Sequence, residues 1–332
     1  MESIYLLEDD DPLDIRRDNV FKAVFTKETV ESRTALSRLV SALIGKDIVI
    51  DSTQANEPPI NSTRDRMIRF DINCRAENGE LINVEMCFNP KSFEPVRLEY
   101  YISKLYTTQD IKGQIRNYND LKETYQIAIL AKEKLISDEE FFHTFEYYDK
   151  RRGVSLKGLT RIITVELSKL EEIVEKSTEE MSASERWAVY FEYLTQRDMR
   201  SKINEIVEHE EGIAMASQVL NKISRDQEER IRIMQADKAE LDYQSEISYY
   251  RNLGLEEGRK EGREQGLEQG LEQGLEQGHR MGRDEGLEIG RTEERETVIK
   301  NALALGLSLD TIQKITGQDI ALIEEISAKL GN

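Results

Sequence analysis

Cysteine is scarce in this chain. Only Cys74 and Cys87 occur in 332 residues, and no Cys-x-x-Cys spacing exists. A disulfide framework is therefore excluded, and the two thiols fit a reducing, cytoplasmic setting. Histidine is scarce too, with three in all, which argues against a zinc site. No apolar run is long enough to cross a bilayer, and the acidic first residues resemble neither a secretory signal nor a transit peptide. Positive charge is short as well: 46 Lys and Arg stand against 65 Asp and Glu, a net of −19. So acidic a chain is poorly suited to non-specific nucleic-acid binding, which rests on neutralising phosphates.

The deficit is uneven. Residues 1–135 carry 19 Lys and Arg against 23 Asp and Glu, a net of −4, and the remainder carries −15. The first part can therefore still present a local basic face. Its length suits a sizeable core. "DNVFKAVF" opens a helix, with Asp18 as N-cap and Phe21, Val24 and Phe25 on one face. The apolar pattern runs on through Leu36, Leu39, Val40 and Leu43 to a stop at Gly45. Residues 46–66 read as a connection with room for one short strand. A hairpin follows over about 67–88, then a helix at 97–109 and strands at 125–130, 141–149 and 159–167. This predicts an α/β fold with a mixed sheet flanked by helices. From 168 to about 251 the pattern is helical, with an aromatic buried face in "WAVYFEYL".

The hairpin holds the chemistry. In "RFDINCRAENGELINVEMCF" (69–88), Asn78-Gly79 marks the turn. A two-residue turn would pair Asp71 with Met86 and put Asp71 and Glu85 on opposite faces. A three-residue loop, Glu77-Asn78-Gly79 with Gly79 left-handed, pairs Ala76 with Glu80, Asp71 with Glu85 and Arg69 with Cys87. We adopt the second register, because it sends Ile72, Val84 and Met86 together toward a core. Facing carboxylates repel, and a divalent cation between them would resolve the conflict. Mg²⁺ takes oxygen ligands of this kind. By spacing alone, two solvated acids, or Asp71 paired with Arg69 or Arg75, are the better reading, because an Asp and a Glu with thirteen residues between them are a weak signal. On the next helix Arg97, Tyr101 and Lys104 share a face at i, i+4 and i+7.

Glycine is where the sequence is most unusual. It recurs at every fourth residue from Gly254 to Gly290, ten times. Only a helix places i and i+4 on one face. Each interior glycine costs a helix about 0.5–1 kcal/mol relative to alanine, so something must offset the row. Close helix–helix packing into a homo-oligomer would do so, helped by Leu267, Leu271, Leu275 and Leu287. Successive glycines advance by about 40°, given 3.6 residues per turn, so the row winds right-handedly. The alternative is a flexible linker. Residues 296–330 form a helical tail with N-caps at Ser308 and Asp319 and stops at Gly306 and Gly317. Glu324 and Glu325 make its last helix a poor partner for phosphates. The expected organisation is an acidic tail (1–14), an α/β core (15–167), a helical extension (168–251), the glycine repeat (252–295) and a small helical tail (296–332).

"DNVFKAVF", the hairpin, "RLEYYISKLYTTQ", "YQIAIL", the later "VEL" and the glycine tetrads stand in a specific order. In this the chain resembles the Rpn group of recombination-promoting nucleases, transposase-like proteins of the PD-(D/E)XK nuclease superfamily, over roughly 15–290. The resemblance implies a restriction-endonuclease-like core and Mg²⁺-dependent cleavage of DNA. It makes Asp71 the acid of the first metal motif and Glu85 that of the second, with the Met86 carbonyl a third ligand. Asp18 and Lys22 match the group's opening motif, and Arg97 with the Tyr100–Tyr101 pair matches its pattern after the second acid. The third motif position, Gln in this group and Lys in the wider superfamily, is Cys87. A Lys or Gln there positions the water or steadies developing charge; a thiol is only a weak donor, so Arg97 or Lys104 would be the substitute.

Overall fold

The structure is a computed structural model that describes residues 4–54, 70–88, 94–109, 117–132 and 134–331. Two helices come first, α1 (Asp18–Phe25) and α2 (Val30–Ile44). One continuous helix was expected here. The chain breaks because Thr29 caps α2, its side chain accepting the Ser32 N–H at 3.2 Å. Gly45 ends α2 with φ +79°, as expected of a left-handed stop. The expected cap at Asp18 is corrected. Arg17 holds the cap position without a side-chain bond, and Asp18 is the first helical residue. Its carboxylate instead takes Lys22 Nζ at 2.8 Å.

The strands are β1 (Ile50–Thr53), β2 (Ile72–Ala76) and β3 (Leu81–Cys87), then, after α3 (Glu94–Thr107), β4 (Thr124–Leu130) and β5 (Phe142–Phe145). A small hairpin of β6 (Tyr148–Asp149) and β7 (Val154–Ser155) precedes β8 (Thr160–Glu166). Six of these strands form one sheet in the order β1-β2-β3-β4-β8-β5. β3, β4 and β8 run parallel, and the outer pairings are antiparallel. Every residue of β3 and β4 is buried, as parallel strands covered on both faces must be.

Period-two alternation divides the sheet. Ile72, Ile82, Val84, Met86, Ile127, Ile129, Ile163 and Val165 face the main core. That core is closed by α1 and α2, and by α4 (Ala183–Tyr193), α5 (Arg200–His209) and α6 (Glu211–Arg225). Trp187 and Phe191 of α4 pack their rings against Phe21 and Phe25 of α1, and Tyr190 packs edge-on against Trp187. The opposite face lies under α3, where Leu81 meets Leu105 and Cys87 meets Leu98. This face also buries Asn83, Glu85, Gln126 and Thr164. The acidic first residues, 1–12, read from sequence as a fraying end, yet the described part is tied down: Leu6 N–H donates to Asn204 Oδ1 and, just beyond, Leu13 N–H to Ser224 Oγ, both at 3.0 Å.

The chain divides into two compact units, 1–243 and 244–332. The boundary falls inside α7 (Gln227–Ala304), a helix that contains the whole glycine repeat. The second unit ends in α8 (Leu309–Thr316) and α9 (Ile320–Leu330), which close a small core of Ile299, Ala302, Ile312, Ile323 and Ile326. Gly306 and Gly317 take positive φ at the expected stops. Ser308 and Asp319 occupy the cap positions of α8 and α9.

Candidate active site

The site grows from the β2–β3 hairpin. Ala76 N–H donates to Glu80 O at 3.0 Å, Gly79 N–H donates to Ala76 O at 2.8 Å, and Gly79 has φ +91°. This is the three-residue loop with a left-handed glycine. It sets the pairs Ile72↔Val84, Asn73↔Asn83, Cys74↔Ile82 and Arg75↔Leu81. One step further along the same register, Asp71 stands opposite Glu85. Arg69, expected opposite Cys87, lies outside the described residues.

Each acid is met by a cation from a different helix. Lys22 Nζ, on α1, lies 3.1 Å from Asp71 Oδ1 and 2.8 Å from Asp18 Oδ2. The Met86 N–H donates to Asp71 Oδ2 at 3.2 Å, so Met86 touches the site through its backbone while its side chain faces the core. On α3, Arg97 Nη2 lies 2.9 Å from Glu85 Oε2. Asn83 Nδ2 donates to Glu85 Oε1 and to Gln126 Oε1, both at 2.9 Å. Glu85 is only 1% exposed. Among the described residues its Oε2 accepts no hydrogen bond of good geometry and is met by the Arg97 charge.

Burial dominates the electrostatics. It pushes the Asp71 carboxyl above the usual carboxylate range, and the Asp18 charge adds to this against the pull of Lys22. Burial raises Glu85 as well, with Arg97 partly offsetting and Asp71 adding to the rise. The Cys87 thiol is pushed up by burial and by Glu85, so it is a neutral SH. Burial works against the charge of Lys22, but Asp71 and Asp18 outweigh it and raise the ammonium. The Arg97 guanidinium is raised in the same way by Glu85, Cys87 and Glu94.

Arg97 is the hub. Beyond Glu85, it donates from Nε to Glu94 Oε1 at 2.7 Å and from Nη2 to Cys87 Sγ at 3.2 Å, and Nη2 also contacts Glu94 Oε1. Its guanidinium stands 5.1 Å from the Tyr101 ring. Lys104, the other expected cation, does not join. Its Nζ stands 5.7 Å from the Tyr100 ring, and it makes no ion pair with either acid among the described residues. Glu94 was not anticipated, because it lies before the segment whose spacing reads as helix. Ligand atoms of Glu85, Cys87 and Glu94 fall within 4.8 Å of one another. Their shared partner is Arg97, so this cluster reads as an arginine socket. Asp71 lies outside it.

The donor set nevertheless suits a hard cation. Asp71 and Glu85 face each other, both are destabilised as anions, and Glu85 Oε2 and Asp18 Oδ1 are buried oxygens without a hydrogen bond. A mixed six-stranded sheet with helices on both faces, two acids on its central hairpin and a cation over each defines a restriction-endonuclease-like α/β protein. Compared with models of known families, residues 15–250 match the PD-(D/E)XK nuclease family transposase, and the chain belongs to that family. Comparisons with curated proteins and with solved structures returned no match.

Proposed function

We propose that the chain is a Mg²⁺-dependent DNA endonuclease of the recombination-promoting, Rpn type. The observation that carries this reading is the pair of carboxylates, half-buried Asp71 and buried Glu85, opposed across the β2–β3 hairpin with a basic side chain on each. In this reading Asp71, Glu85 and the Met86 carbonyl hold the cation. When bound, Mg²⁺ polarises the phosphodiester and lowers the pKa of an attacking water. The residues of the chain do the rest. Lys22 and Arg97 keep the two acids compensated while no cation is bound. Arg97 supplies, beside Cys87, the fixed hydrogen-bond donors that a Lys or Gln at the third motif position would bring, together with a positive charge. Lys104 lies on the same helix and meets substrate further out. A homo-oligomer forms through the glycine row of α7, and the protein works in the cytoplasm.

A second reading has its own observation. The Arg97 guanidinium is engaged by Glu85, Glu94 and Cys87 together. If that socket never opens, the chain is a degenerate relative that acts as an oligomeric interaction module.

Nicking of supercoiled plasmid in Mg²⁺, by the wild type, Glu85→Ala and Cys87→Gln, separates them. The nuclease reading expects cleavage by the wild type and its loss in Glu85→Ala. An inactive wild type with activity gained in Cys87→Gln identifies a degenerate nuclease on an intact scaffold. Three inactive proteins favour the interaction module.

A further inference from the structure

The first turn of α3 brings a third acid to the site. Glu94 is 3% exposed, and carboxylates are almost never this buried unless paired. Its partner is Arg97, one turn on: Nε donates to Glu94 Oε1 at 2.7 Å and Nη2 contacts the same oxygen. Both remaining contacts of Nη2 point into the site, 2.9 Å to Glu85 Oε2 and 3.2 Å to Cys87 Sγ. An exposed i,i+3 pair is loose and screened. Here the side chain is clamped through two of its nitrogens, and a long, flexible arginine is reduced to one orientation.

We propose that Glu94 is a positioning residue for the nuclease reaction, anchoring the Arg97 guanidinium in the space beside Cys87 that a neutral thiol cannot serve. The inference rests on the nuclease reading above. The anchor is needed because Glu85 has two duties. An arginine held by Glu85 alone would lose its partner whenever that carboxylate turned to another cation. Glu94 lies on the helix rather than on the hairpin, and it opposes neither Asp71 nor Glu85 across the strands. It therefore keeps Arg97 in place in either state of Glu85. Cys87 cannot anchor Arg97, since sulfur is a weak acceptor.

Two measurements test this. The first is a double-mutant cycle on plasmid cleavage in Mg²⁺. Glu94→Gln should lower kcat by roughly a hundredfold, the effect of a small misplacement of a charged group, with KM little changed. Glu94→Asp should recover part of the loss. In an Arg97→Gln background Glu94→Gln should cost nothing further, because its effect runs through Arg97. Equal losses in both backgrounds overturn the proposal.

The second measurement needs no turnover. The Arg97 Nε–H resonance, assigned by its disappearance in Arg97→Lys, should be protected from exchange in the wild type, with and without Mg²⁺. It should lose that protection in Glu94→Gln. Persistence there overturns the anchoring. A wild type that cleaves nothing overturns the nuclease reading, and with it the purpose of the anchor. The Arg97 signal then still decides, separately, whether Glu94 holds the arginine.

Discussion

A carboxylate buried at 1% exposure, as Glu85 is, must lean on its neighbours for its charge. Neither Arg97 over Glu85 nor Lys22 over Asp71 fully compensates the burial, so both acids hold their protons more tightly folded than unfolded. The sign for stability follows. Below about pH 4, where ordinary carboxylates titrate, the contribution is fully present. It is lost as pH rises through the raised values of the two acids. Urea midpoints of the metal-free protein should therefore fall from mildly acidic to mildly alkaline pH. Glu85→Gln should flatten that slope and stabilise the alkaline side by about 1–2 kcal/mol. Cation binding selects the deprotonated acids, so apparent Mg²⁺ affinity should rise with pH and calorimetry should detect proton release. Glu123 behaves in the opposite way. Burial raises it, but bonds from Lys46, Tyr125 and Arg161 outweigh this and hold it down to about 2. Its contribution is present above the ordinary glutamate value and lost as pH falls toward about 2. Glu123→Gln should therefore lower stability by roughly 1 kcal/mol at neutral pH, after allowance for its partial exposure to solvent, and the difference from the wild type should vanish as pH falls toward about 2.

At the scale of elements, the hairpin was readable and the helix packing was not. Asn78-Gly79, the alternation and the shared direction of Ile72 and Val84 are local features. They led to the register that pairs Asn73 with Asn83 and sets Asp71 opposite Glu85. The break between α1 and α2 was missed because the apolar period crosses it without a phase error, leaving only the Thr29 cap as a signal. Gly212 was missed for a different reason. Nothing in its neighbourhood along the chain marks it, yet a Cβ there would lie 2.3 Å from Arg38 Cβ and 3.0 Å from Trp187. It is where α6 crosses closely over α2. Gly212→Ala should destabilise the fold by about 1–3 kcal/mol, read as a lower melting temperature, because neither neighbour has room to retreat.

At the scale of the whole molecule, α7 raises the largest energetic question. Its ten repeat glycines are helical, and a Cβ at any of them would meet nothing within 4 Å. Leu267, Leu271, Leu275 and Leu287 are all exposed. Nothing among the described residues therefore offsets the helix cost of that row, which leaves a second copy as the occupant under the proposed assembly. Sedimentation velocity should show a species larger than the monomer. Replacing Gly266, Gly270 and Gly274 by alanine should raise intrinsic helicity by about 0.5–1 kcal/mol per site, while the added methyl groups dissociate the assembly. A triple variant that sediments like the wild type would count against the glycine row as the contact. No helix among the described residues is long and apolar enough to cross a membrane.

The sequence by itself determined the α/β class, the hairpin register, the opposed acids and the helical nature of the glycine row. All of these follow from periods of two or four residues and from turn chemistry, which act between near neighbours. Only the tertiary structure decided which cation serves which acid. Lys22 reaches Asp71 across 49 residues of chain, and Arg97 rather than Lys104 reaches Glu85. Only the fold, too, placed Glu94 beside Cys87. Those choices depend on how α1 and α3 dock on opposite faces of the sheet, a matter of packing and burial between elements, for which a linear pattern carries no signal.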